Sequence, residues 1–103
     1  MVIVIARFRV RPDSHDDVVA LLTEVEQASR AEATCLNYAY YEAVAEPNAF
    51  VAVEEWRDMA ALEEHLRTPH VAKLLAEVPK VVVEAPDIVA HEVAGSGPLP
   101  LPG

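Results

Sequence analysis

Residues 2–11 alternate at period two, two later runs carry apolar residues at helical spacing, and a pair of aromatic and β-branched runs flanks Glu46-Pro47-Asn48. In chain order they read strand, helix, strand, strand, helix, strand. That order predicts an α+β fold of the ferredoxin-like split βαβ class, built on a four-stranded antiparallel sheet. A chain of 103 residues holds one such core.

Strand one places Val2, Val4, Ala6, Phe8 and Val10 on one face and Ile3, Ile5, Arg7, Arg9 and Arg11 on the other. Pro12-Asp13 breaks it. Ser14 and Asp17 form a capping pair for helix one, expected over 14–31, with Val18, Leu21, Leu22, Val25 and Ala28 on its buried stripe. Leu36 to Val44 and Ala49 to Trp56 make the hairpin of strands two and three. Asp58 caps helix two through Leu66, and Thr68-Pro69 supplies a second N-cap with proline at the first helical position, so this helix is broken or kinked. Val71, Leu74, Leu75 and Val78 keep a helical stripe to about Pro79. Three valines favour strand over Lys80 to Glu84, yet Pro79 and Pro86 bracket too short a segment, and both readings stay open. Asp87 to Val93 is strand four. Residues 1–94 form the domain, and the Gly/Pro-rich stretch 95–103 is expected to be an extended tail, loose or docked on a partner subunit.

Two helices cover one face of a four-stranded sheet, and the other face carries Ile3, Ile5, Val51 and Val53. A second copy of the same sheet would bury it. The expected assembly is a homodimer through the sheet face, a dimeric α+β barrel.

Eight Lys+Arg against 17 Asp+Glu give a formal charge of −9, which argues against nucleic acid and anionic membranes as partners. All three glycines lie within 95–103, so neither a Walker A loop nor a dinucleotide fingerprint can form. No cofactor is expected. Cys35, the single cysteine, permits no internal disulfide and suits a reducing compartment, where it behaves as a small hydrophobe. The apolar start Val2 to Ala6 is too short for a signal-peptide core or a membrane span, which points to a cytoplasmic protein.

In a hairpin turning about Pro47, Tyr38 and Tyr40 share a face with Glu54 and Trp56. This aromatic wall with one carboxylate is either a pocket for a flat ligand or ordinary sheet core. Phe8 has the parity that faces the helices and joins Tyr40 and Glu54 as a candidate substrate contact. His65 lies near the edge of the stripe marked by Leu62 and Leu66, placed either to shuttle protons or to bond backbone as a boundary residue. His70 follows five residues later across Pro69, so the two imidazoles do not share a helical face and no metal site is expected. His15 and His91 read as exposed or structural, and Arg30 and Glu32 either tie the end of helix one to the following strand or are solvated, with solvation the favoured reading.

Arg30-Ala31-Glu32 before Cys35-Leu36-Asn37-Tyr38, then Glu55-Trp56-Arg57-Asp58, Ala61-Leu62 with His65, and Pro69-His70 together resemble the antibiotic biosynthesis monooxygenase family over about Val2 to Val93. The resemblance implies a dimeric α+β barrel oxidoreductase that oxidises a quinol or polycyclic phenol with dioxygen and without metal or flavin. It implies Trp56 stacking on the substrate ring, His65 as base or hydrogen-bond partner, and Tyr38 orienting an oxygen substituent. Glu32-Ala33-Thr34 replaces the usual Glu-Pro-Gly. Ala52 and Leu62 stand near where quinone-forming members carry an asparagine and a tyrosine, and Ala6 or Arg7 where haem-degrading ones carry an asparagine. Two alternatives are a non-catalytic dimer binding a small aromatic ligand, and an isomerase of a small carbonyl compound anchored by Arg7, Arg9 and Lys73.

Overall fold

The computed structural model describes residues 1–103. Its elements are β1 (Val2–Arg9), a 3-10 turn (Pro12–Ser14), α1 (His15–Arg30), β2 (Cys35–Glu42), β3 (Ala49–Trp56), α2 (Met59–His65), α3 (Pro69–Val81) and β4 (Asp87–Glu92). The strands form one antiparallel sheet in the order β2-β3-β1-β4, the ferredoxin-like arrangement expected from the element order.

Parity along β1 decides the layers. Val2, Val4 and Ala6 are buried on the face that the helices cover, where they meet Val25 of α1, Tyr38, Trp56, Ala61 and Leu62 in the larger core cluster. Val10, Val18, Leu22 and Phe50 form a second cluster toward the other end of the sheet. On the outer face Ile3, Ile5, Val51 and Val53 remain half-buried, with no helix over them. Residues 95–103 have no regular secondary structure, and Leu99 and Leu101 are each 75% exposed.

The hairpin register pairs Tyr38 with Glu54 and Tyr40 with Ala52, each partner two residues nearer the N-terminus than a turn about Pro47 would give. Parity is unchanged by that displacement, so the aromatic residues share a face as expected. A bulge falls between Cys35 and Asn37, beyond the tyrosines, and leaves Trp56 on their side of the sheet. Lacking glycine, the turn places Asn48 in the left-handed region at φ 70°, with its N–H bonded to the Glu42 carboxylate at 2.8 Å. β2 is an edge strand. Its free polar groups are met by α1, since Arg30 Nε donates to the Tyr38 carbonyl at 2.7 Å and Glu26 accepts from the Tyr40 N–H at 3.0 Å. Arg30 therefore ties the end of α1 to the following strand, the less favoured of the two readings, instead of being solvated.

Three local expectations change. Ser14 makes no side-chain cap, because at the end of the 3-10 turn its backbone is already helical (φ −101°, ψ −2°), not in the extended conformation that lets a capping side chain reach the first free N–H groups. β1 stops at Arg9, and Val10 instead forms an isolated bridge with Val82. The ambiguous stretch after Pro79 divides between both readings: Lys80 and Val81 continue α3, while the Val83 N–H bonds the Arg9 carbonyl at 2.9 Å. The cap of α2 is as expected, with Asp58 Oδ1 accepting the Ala61 N–H at 2.8 Å.

Trp56 is fully buried, and Trp56→Ala is expected to cost about 3–5 kcal/mol in urea unfolding. Val44→Ser, at a position left fully exposed in the turn, is expected to change stability by less than about 0.5 kcal/mol.

Candidate functional site

A cavity of about 420 Å³ lies between the inner sheet face and the helices α2 and α3. Its walls are mostly apolar, with Val4, Ala6, Phe8 and Ala52 from the sheet and Leu62, Val71, Leu74 and Val78 from the helices. Leu66, Leu75 and Ile88, each more than half exposed, stand at its mouth. Tyr38, Tyr40, Glu54 and His65 are its polar lining. A larger groove of about 610 Å³ lies at the far end of the sheet among Arg7, Arg9, Glu46, Glu84 and Asp87. All its charged side chains are exposed, and Arg9 pairs with Glu84 at 3.0 Å, so the smaller cavity is the better chemical candidate.

Helix breakage sets the polar end. α2 stops at His65, and the Thr68 hydroxyl donates to the His65 carbonyl at 2.7 Å before Pro69 opens α3. This corner turns the His65 and His70 rings toward each other, with centroids 5.8 Å apart. The expectation that the two imidazoles point apart is therefore corrected: it assumed one continuous helix axis, and the axis changes at Thr68-Pro69. Glu32, in the turn after α1, reaches both rings. Its Oε2 lies 2.7 Å from His65 Nδ1 and 2.9 Å from His70 Nε2. A carboxylate accepts, so both ring nitrogens donate, and neutral His65 keeps its lone pair on Nε2.

That Nε2 stands 3.7 Å from Glu54 Oε1. Glu54 Oε1 in turn accepts from Trp56 Nε1 at 3.1 Å, and the Trp56 and His65 rings stack obliquely at 4.3 Å. Burial pushes the Glu54 carboxyl up to about 7, against the opposing Trp56 bond. Burial also holds the His65 pKa below its ordinary value, although the Glu32 hydrogen bond works the other way. Tyr38 and Tyr40 share a hydroxyl–hydroxyl bond of 2.7 Å, and burial raises both phenols well above their ordinary range, so both remain protonated donors. An apolar chamber thus ends in one carboxyl that titrates near neutrality, one uncharged imidazole and two phenols.

The profile of the antibiotic biosynthesis monooxygenase family matches residues 1–77, from β1 into α3. The chain belongs to this family. It is 30% identical over 94 residues to the "Putative monooxygenase YcnE" of Bacillus subtilis, covering 91% of this chain and 99% of that one. A Synechocystis relative, sll1783, is 30% identical over 93 residues, and the chain spans 63% of its length. The structure of Rv0793 from Mycobacterium tuberculosis superposes with a TM-score of 0.87 at 32% identity, covering 94% of this chain and 98% of that one. The structure of a "putative antibiotic biosynthesis monooxygenase" from Deinococcus radiodurans gives 0.90 at 26% identity, covering 96% and 98%.

Within this family framework the structure brings Tyr38, Tyr40, Glu54, His65 and Phe8 to one cavity. Trp56 is the exception. It has no exposed surface and lies behind Glu54 and His65, so it supports the wall instead of presenting a face to a ligand. Ala52 and Leu62 both line the cavity, which leaves two wall positions without polar groups. Glu32, Thr68 and His70 were not among the sequence candidates. The Thr68-Pro69 break was the available signal, because it reorients whatever follows. The cationic anchors of an isomerase are absent from the cavity: Arg7 and Arg9 have outer-face parity, and Lys73 pairs with Glu24 at 2.9 Å on the helix surface. No helix is long and apolar enough to cross a membrane.

A carboxyl raised in the folded state contributes stability that is intact below its ordinary 4.5 and is lost as pH rises through about 7. Between pH 5 and 7 the wild-type chain should lose stability relative to Glu54→Gln by on the order of 1 kcal/mol per pH unit, read from urea midpoints.

Proposed function

We propose that the cavity is the substrate pocket of a cofactor-independent monooxygenase acting on a quinol or polycyclic phenol. The observation that carries this reading is the convergence of His65 Nε2 and Glu54 Oε1, 3.7 Å apart, at the end of an apolar chamber. Membership of the family and the monooxygenase name of YcnE support the reaction class.

The chemistry follows from the polar end. A planar phenol entering between Leu66 and Ile88 would bury its rings against Phe8, Ala6 and Leu74 and present its hydroxyl to His65 and Glu54. The uncharged imidazole takes the phenolic proton through Nε2, and Glu54, titrating near neutrality, holds or returns a proton beside it. The Tyr38 and Tyr40 hydroxyls supply hydrogen bonds to a second oxygen substituent. The phenolate is electron-rich at ring carbon and can reduce dioxygen itself, so the substrate is its own reductant. In balance, a phenol with an unsubstituted ring position gives a quinone and water: the substrate yields four electrons, one oxygen atom joins the ring, and the other leaves as water. Excluding bulk water from the apolar walls protects the reactive intermediates.

The outer sheet face supports a homodimer. Ile3, Ile5, Val51 and Val53 form an apolar strip with no cover from the chain itself, and a second copy is the cover that fits its own periodicity. Sedimentation should give twice the 11.2 kDa chain mass, and Val51→Glu with Val53→Glu should return the monomer.

Oxygen uptake by metal-free protein against hydroquinones and anthrone-type phenols tests the reaction. His65→Ala is expected to lower kcat by about 10²-fold or more, which is the usual worth of a positioned base. Trp56→Phe keeps a ring but deletes the hydrogen bond that holds Glu54 down, so it should move the Glu54 limb of the pH–rate profile to higher pH. Uptake that stays at the spontaneous rate in wild type and both variants would replace this reading with that of a ligand-binding dimer, which Ala52 and Leu62 on the wall would suit.

A further inference from the structure

Three metal-ligating side chains from three separate elements meet beside the polar end of the cavity. His65 Nδ1 and His70 Nε2 both point at Glu32 Oε2, at 2.7 and 2.9 Å, and the three ligand atoms lie within 4.8 Å of one another. We propose that Glu32, His65 and His70 bind a divalent transition-metal ion of the Zn²⁺ class. Two imidazoles and one carboxylate are a donor set that such ions take, with water completing the shell.

Around a tetrahedral ion with bonds of about 2.0–2.1 Å, ligand atoms stand about 3.3 Å apart, so the two short contacts to Glu32 must open by roughly half an ångström. The two imidazole nitrogens, within 4.8 Å of each other, must come to the same spacing. Access and support are both in place. Glu32 and His70 side chains are 17% and 18% exposed, which leaves an entry path, while His65 at 3% is locked. The His65 nitrogen away from the site faces Glu54 at 3.7 Å, the carboxylate–histidine–metal order that orients a ligating ring. Thr68 Oγ1, whose proton goes to the His65 carbonyl at 2.7 Å, stands 3.2 Å from His70 Nε2 and accepts from the same N–H as Glu32, so an ion at Nε2 would end that contact. His15, by contrast, has Asp16 and Glu42 on opposite ring nitrogens, each at 3.0 Å, so one ion cannot engage both.

The ion would replace the two N–H protons that Glu32 accepts. Neutral His65 must then carry its proton on Nε2, facing Glu54, so a bound ion and a base at Nε2 exclude each other. The site itself does not depend on the oxygenation reading.

Titration of the chelator-treated full chain with Zn²⁺ by calorimetry tests the site. One ion per chain is expected, with affinity at least about tenfold weaker in His70→Ala and in Glu32→Gln and unchanged in His15→Ala. Long-range ¹H–¹⁵N spectra of wild-type protein give the same answer without any substitution. Zn²⁺ should shift His65 Nδ1 and His70 Nε2, move the His65 proton to Nε2, and leave His15 and His91 unmoved. Absence of saturable binding, wild-type affinity in folded His70→Ala, or shifts confined to His15 or His91 would overturn the proposal. None of these readouts involves turnover, so failure of the metal site and failure of the oxygenase reading are separately visible.

Discussion

One carboxylate oxygen joins three elements of this protein. Glu32 Oε2 accepts from His65 at the end of α2 and from His70 in the first turn of α3, and thereby ties both helices to the end of α1. Hydrogen bonds to an ionised acceptor contribute about 1.5–3 kcal/mol each, more than neutral ones, and His65 makes its bond almost entirely out of water. The knot spans the corner that Thr68-Pro69 makes between α2 and α3, beside the polar end of the cavity. Without the corner the apolar residues of α3 would have no reason to stand off from β1 and β4.

The same knot fixes the chemistry of the cavity. By accepting at Nδ1, Glu32 leaves the Nε2 lone pair of His65 facing inward, and burial keeps the ring uncharged. Glu54 is pushed in the opposite sense, toward its neutral form, by the same low-dielectric surroundings. The two shifts have opposite senses, and both favour a neutral carboxyl beside a neutral imidazole over a buried ion pair. Trp56 supports the arrangement from behind through its bond to Glu54 and its contact with His65.

The two faces of the sheet differ for a related reason. α1, α2 and α3 pack on one side of the sheet, and Glu26 and Arg30 of α1 bond the edge of β2. Nothing remains to cover Ile3, Ile5, Val51 and Val53 on the other side.

Periodicity is a property of neighbours in sequence, and it was sufficient for the element order, the two faces of β1 and the parity that sets Tyr38 and Tyr40 beside Glu54, while a capping residue before proline marked the break at Thr68-Pro69. It also placed His65 close to the aromatic wall. The Glu32–His70 contact spans 38 residues, and its existence depends on where α1 ends relative to a corner two elements later. No repeat or spacing records such a distance. Trp56 illustrates the same limit: parity assigned it to the inner face, but only the packing of α2 across it decided that His65 and Glu54, and not the indole, would meet the cavity. Local chemistry therefore determined which residues could act, and the superposition of independently formed helices on the sheet decided which of them touch.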